Sequence, residues 1–173
     1  MQFTTDAAGR STFTLDLSQP RGIRIQPGES TYLIYDDGPS GTGGNCTAIG
    51  TWDGASKTCT LTQDVNDAIY IYDPSNTNVG VTLDGAGYQV NLPTWGSIQV
   101  AGNNHTVKNL KINGTVEIPY GGYYCSSYGG YYCEPQPTGY GVYLYESTNA
   151  NVTNVTVSNS YFALYTDAAR NST

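Results

Sequence analysis

Short runs of alternating hydrophobic and polar residues recur along most of this chain. Residues 69–72 (IYIY), 98–100 (IQV), 141–145 (GVYLY) and 161–165 (YFALY) are brief and rich in β-branched and aromatic residues. Each leads into a polar turn: 74–78 (PSNTN), 101–104 (AGNN), 146–151 (ESTNAN) and 166–171 (TDAARN). Three of these turns are followed by a second alternating run, at 79–83 (VGVTL), 107–112 (VKNLKI) and 152–157 (VTNVTV). Asn and Gly in the turns tolerate left-handed backbone angles. The pattern predicts a repeated strand–turn–strand unit. A unit this small buries its apolar face only by stacking on the next one.

Counted from Ile69, Ile98, Val142 and Phe162, the repeat advances by 29, 44 and 20 residues. Steps of twenty-odd residues suit a parallel β-helix or another solenoid. The longer steps hold insertions, above all the Tyr-, Gly- and Cys-rich stretch at 119–140. No helical periodicity of useful length is present.

The N-terminal part reads differently. Residues 3–17 predict a strand, a turn and a strand, and resemble the closing hairpin of Ig-like repeats in prokaryotic surface proteins. Residues 21–25 and 31–35 predict two more strands. Residues 1–45 are therefore expected to form N-terminal strands that cap the first repeat, with 46–173 forming the repeats and 36–61 a loop-rich segment. The last residues, 171–173, fall after a strand and its turn, where a second strand of the unit would be expected.

Composition narrows the partners. Seven Lys and Arg against fourteen Asp and Glu give a net charge of −7, so nucleic acid and anionic membranes are not expected partners. No run of about 18 apolar residues exists, so no membrane insertion is expected within this chain. Residues 1–5 (MQFTT) do not read as a signal peptide. Sixteen Tyr stand against three Phe and one Met, which suits strands with polar, hydrogen-bonding outer faces.

The four cysteines fall as two close pairs, Cys46 with Cys59 and Cys125 with Cys133. Three pairings are formally possible. Zinc is disfavoured, because no pair is spaced C-x-x-C and His105 is the single histidine. Two local disulfides are expected, each pinning a Gly-rich loop and each contributing about 2–3 kcal/mol. Six N-glycosylation sequons begin at Asn45, Asn104, Asn113, Asn151, Asn154 and Asn171. Turn chemistry also favours Asn and Thr at these corners. Disulfides and sequons together point to a secreted, cell-surface glycoprotein.

Residues 46–53 (CTAIGTWD), 59–65 (CTLTQDV), 69–71 (IYI) and 82–87 (TLDGAG) follow one another in a pattern that resembles the entry into right-handed parallel β-helix proteins of the NosD-like, pectate-lyase-like superfamily. Residues 106–114 (TVKNLKING) and 151–159 (NVTNVTVSN) resemble its rungs. The resemblance covers about 45–173 and implies an all-β, right-handed parallel β-helix. It implies little about chemistry, because that superfold hosts lyases, hydrolases, adhesins and structural proteins.

Enzymes of that superfold carry clustered carboxylates on their rungs, and the lyases add calcium and a basic residue. This chain offers few equivalents. Asp64, Asp67, Asp73 and Asp84 read as turn residues, and Lys108 and Lys111 as outward-facing. Asp36-Asp37 is a weak candidate for calcium or a turn opener; no other cofactor or metal is expected. His105 reads as a solvated turn residue, with no nucleophile pattern beside it. No catalytic residue is assigned.

The distinctive surface is the insertion, where Tyr123, Tyr124, Tyr128, Tyr131 and Tyr132 stand in a Gly-rich loop. Tyr is a rigid, amphipathic contact residue for sugars or proteins, or packs on the flank of a sheet. Trp95 reads as an exposed loop tip and a further contact. The expected function is a non-catalytic extracellular structural or adhesion protein, a β-helix rod assembling head-to-tail with itself or with other surface proteins into surface filaments. The alternative is a carbohydrate-binding or polysaccharide-degrading β-helix domain.

Overall fold

A computed structural model of the chain describes residues 2–5, 11–14, 31–38, 41–74, 79–117 and 136–173. The described residues are mostly strand. In chain order the elements are β1 (Gln2–Thr5), β2 (Ser11–Thr14), β3 (Thr31–Ile34), α1 (Cys46–Ile49), β4 (Gly50–Asp53), β5 (Thr58–Leu61), β6 (Ala68–Tyr72), β7 (Thr82–Asp84) and β8 (Gln89–Asn91). There follow β9 (Ile98–Asn103), β10 (Thr106–Asn113), β11 (Thr115–Glu117), β12 (Gln136–Thr138), β13 (Tyr140–Thr148), β14 (Asn151–Ser158) and β15 (Phe162–Asp167).

Two sheets carry the fold. The five-stranded sheet runs β15-β13-β9-β6-β3, all parallel. The six-stranded sheet runs β14-β10-β7-β5-β4, with β8 also on β10. Its pairs are parallel except β4–β5, which is an antiparallel hairpin. The β1–β2 and β11–β12 pairs are small antiparallel sheets of their own.

The right-handed parallel β-helix expected from the repeats and from the superfamily resemblance is not what is found. The strands assemble as two separate, mainly parallel sheets, and a solenoid of like rungs is not shown. The unequal repeat steps have a visible counterpart here. One sheet ends in an antiparallel hairpin, and β10 takes both β7 and β8 as neighbours on one edge. Of the strands expected at the N terminus, β1 and β2 pair with each other and the strand expected near 31–35 is β3, at an edge of the five-stranded sheet; the turn between β1 and β2 and the strand expected at 21–25 lie outside the described residues.

What does persist is like packed on like. Ile69, Ile98, Val142 and Leu164 are register partners across four strands, and Ile34, Ile71, Val100 and Leu144 form a second row. In the other sheet Cys59, Leu83, Val107 and Val152 form a third row. Except for Leu164 and Val152, these residues are buried and belong to one core cluster with Leu61, Val90, Leu110 and Ile112. Each buried Ile, Leu or Val contributes about 1.5–3 kcal/mol by leaving water. The period-2 alternation in the sequence is the direct cause, since every second residue of a strand faces the same side.

Asparagine occupies left-handed positions between strands, at Asn104 and Asn149, and within β10 and β14, at Asn109 and Asn154. Asn104 and Asn149 have φ of 60° and 55°, and Asn109 and Asn154 have φ of 54° and 51°. Asn tolerates this left-handed region better than other side chains. Their amides then bond from strand to strand. Asn109 Nδ2 donates to Asp84 Oδ1 at 3.1 Å and Asn154 Nδ2 to Asn109 Oδ1 at 2.8 Å. A second row runs from Asn91, which donates to Asn66 (2.7 Å), through Asn113 (3.3 Å) to Asn159 (2.8 Å).

Candidate functional site

The outer face of the five-stranded sheet is the most distinctive chemical feature among the described residues. In β6, Tyr70 and Tyr72 alternate with the buried Ile69 and Ile71; in β13, Tyr143 and Tyr145 flank the buried Leu144. Register brings these positions together. Tyr70, Gln99, Tyr143 and Tyr165 form one row, and Tyr72, Ala101, Tyr145 and Asp167 the next. The rings touch: Tyr70 stacks on Tyr72 at 5.0 Å between centroids, Tyr140 on Tyr165 at 4.8 Å, and Tyr143 meets Tyr165 at 5.3 Å and Tyr145 at 6.0 Å. Tyr35 reaches Tyr72 at 5.2 Å, and Phe162 meets Tyr161 at 4.7 Å.

Two carboxylates sit among these phenols. Partial burial first, then the charge of Asp167, pushes the Tyr143 phenol above its usual value, and a hydrogen bond to Asp167 adds to it. The Tyr145 phenol is also pushed up, chiefly by its hydrogen bond to Glu146, with the charge of Asp167 contributing. Tyr70 is raised by burial and by Tyr72. All three phenols stay protonated at neutral pH, and those of Tyr143 and Tyr145 donate to Asp167 and Glu146.

Trp95 stands where the sequence placed it, at an exposed turn. It is 73% exposed and has φ of 61°, a conformation uncommon for a bulky residue. The turn sits beside β13, because the Tyr140 N–H donates to the Gly96 carbonyl at 3.2 Å. Tyr123, Tyr124, Tyr128, Tyr131 and Tyr132, together with Cys125 and Cys133, lie outside the described residues. The Cys46–Cys59 disulfide is present, with both residues fully buried and Cα atoms 5.7 Å apart.

A second feature is the open side of β14 and β15, the last strands of the two sheets. Their core-row positions are not covered as their neighbours' are. Leu164 is 48% exposed although its partner Val142 is buried, and Val152, Val155 and Val157 are only partly buried opposite the buried Val107, Leu110 and Ile112. Residues near Thr173 begin to lie along β14: the Val152 N–H donates to the Thr173 carbonyl at 2.6 Å, and the Thr173 N–H to the Ala150 carbonyl at 2.9 Å.

No family model, curated protein or solved structure matches this chain.

Several other residues singled out in the sequence have structural partners. The Asp36 carboxylate bonds the Lys57 ammonium and the Gly38 N–H, and its pKa is lowered, chiefly by Lys57. Asp37 accepts the N–H groups of Thr42 (2.9 Å), Gly43 (2.9 Å) and Gly44 (3.4 Å). The two carboxylates offered for calcium are thus engaged in shaping a loop. No group of three metal-ligating side chains occurs among the described residues. Asp84 accepts from the Ala86 N–H and pairs with Lys108 at 3.3 Å. Lys108 is therefore in an ion pair rather than simply facing water.

His105 differs from its sequence reading. It is fully buried, not a solvated turn residue. Its Nδ1 accepts the Val81 N–H at 3.0 Å, which fixes the proton on Nε2. Nothing near the histidine in sequence signalled this, because Val81 is brought to it only by the pairing of β7 with β10.

Among the sequons, Asn45 is exposed and accepts the Leu33 N–H through Oδ1 at 2.9 Å. Asn104, Asn154 and Asn171 are exposed, and Asn113 and Asn151 are half-buried. Asn154 also lines a shallow depression of about 270 Å³ with Gly87, Asn109, Leu110 and Lys111. Its Nδ2, the atom a glycan would occupy, already donates to Asn109.

Proposed function

We propose that this chain is a non-catalytic extracellular structural or adhesion module that associates with further copies of itself by adding strands at the β14/β15 side. The observation that carries the reading is the half-exposed Leu164 beside three partly buried valines, on the last strand of each sheet. A strand at the end of a sheet offers N–H and C=O groups to a further strand, and an uncovered apolar row adds a reason to pair. A second copy supplies strands of the same alternation. Contacts of this kind that do not close into a ring extend into filaments. The net charge of −7 opposes uncontrolled stacking, so association is expected to strengthen as salt screens it. The buried disulfide supports an oxidising compartment, and the sequons support glycosylation there.

Light scattering across a concentration series, with negative-stain electron microscopy, tests the assembly. Oligomers that grow with concentration and salt, and that Leu164→Lys abolishes, are the expected result. A monomer at every concentration refutes it.

A further inference from the structure

The aromatic outer face shares β15 with the open β14/β15 side, but its chemistry defines a ligand of a different kind. We propose that the outer face of the five-stranded sheet binds an uncharged, linear polysaccharide laid across the strands, with the rings of Tyr70, Tyr72, Tyr143, Tyr145 and Tyr165 as its platform. Three properties of the face lead there.

The first is extent. Ring contacts form two groups, Tyr35, Tyr72 and Tyr70 on one side of β9 and Tyr145, Tyr143, Tyr165, Tyr140 and Phe162 on the other, with Gln99 and Ala101 between them. The five strands span about 19 Å at their ordinary spacing, a length for several sugar rings rather than one. Rings already held by their neighbours lose little freedom when a ligand stacks on them.

The second is the pairing of apolar and polar groups. The electron-rich face of an aromatic ring attracts the polarised C–H face of a sugar. The Asp167 and Glu146 carboxylates hold the Tyr143 and Tyr145 phenols, and a carboxylate has acceptor positions beyond one such bond. Those positions suit sugar hydroxyls, which a merely apolar partner would leave unmatched.

The third is charge. Two carboxylates on the face, on a chain of net charge −7, repel uronic acids, sulfated glycans and nucleic acids. Trp95 stands on a turn beside the start of β13. It is 73% exposed and held at φ of 61°. A large side chain kept in a costly backbone conformation and in water points to a contact role.

Depletion onto insoluble cellulose, chitin, xylan and mannan, with polygalacturonate as the acidic comparison, tests the proposal; calorimetry with a hexasaccharide of the retained polymer then measures affinity. The expected result is retention on at least one neutral polymer and none on polygalacturonate. Tyr143→Ala with Tyr165→Ala should weaken binding by about tenfold or more. Trp95→Ala should weaken it with an unchanged melting temperature, which keeps the test valid if the double variant folds poorly. No retention on any neutral polymer, equal retention on polygalacturonate, wild-type affinity in Trp95→Ala and the double variant, or a change confined to oligomeric state would each overturn it.

Discussion

Lowering the pH from 7.5 to 5 should destabilise this protein through a single buried imidazole. His105 is the chain's one histidine and is fully buried. Burial is the main cause of its lowered pKa; the backbone at Ala101 and the carboxylate of Asp73 oppose that shift without overcoming it. Protonation would also end the Val81 N–H to Nδ1 bond, because both atoms would then be donors. In the unfolded chain the imidazole titrates near its ordinary value of about 6.5. Below that pH the unfolded state takes up a proton that the folded state refuses, so stability falls as pH falls. The slope approaches about 1.4 kcal/mol per pH unit, giving a loss of at most about 2 kcal/mol at pH 5. The Asp36, Asp37, Asp53 and Asp84 carboxylates have lowered pKa values, so their contribution is held above about pH 4 and is lost only on further acidification. The two effects are therefore separable. Urea unfolding at half-unit pH steps, with His105→Gln as the non-titrating comparison, measures the first. A steeper fall for wild type than for the variant between pH 6.5 and 5 is expected. Parallel curves, or an imidazole proton resonance titrating at or above 6.5 in the folded protein, would refute the reasoning.

Four further outcomes follow from packing. Replacing Cys46 and Cys59 by Ser should cost about 2–3 kcal/mol, read as a lower urea midpoint, since their separation is only 13 residues. Gly43→Ala should be strongly destabilising in thermal melts, because Gly43 has φ of 68° and an added Cβ would lie 2.3 Å from the Trp52 ring. Leu83→Ala, at a fully buried position, should cost about 2–5 kcal/mol. Leu164→Ala, at a half-exposed one, should cost less than half as much in a monomeric sample, and equal losses would contradict the burial difference.

Much of the strand content was legible in the chain. The alternation at 69–72, 98–100 and 141–145 corresponds to β6, β9 and β13, and that at 107–112 and 152–157 to β10 and β14. Local alternation reports which side of a strand is buried, and that is a short-range property. The Cys46–Cys59 pair was legible for the same reason, because a short separation limits the choices. The aromatic face was half legible. Tyr70 and Tyr72, or Tyr143 and Tyr145, can be read as one side of one strand, but nothing local says that Tyr143 lies beside Tyr165.

By itself, then, the sequence determined the strands, their buried and outer sides, the Asn-rich bends and one disulfide, all set by neighbours a few residues apart. Tertiary structure decided how the strands are shared between two sheets, that β4 runs antiparallel, that His105 is buried under Val81, and which tyrosines of separate strands meet. These depend on register between strands tens of residues apart. A shift of one residue turns every side chain to the opposite side, so the whole sheet, not any segment of it, selects the pairing.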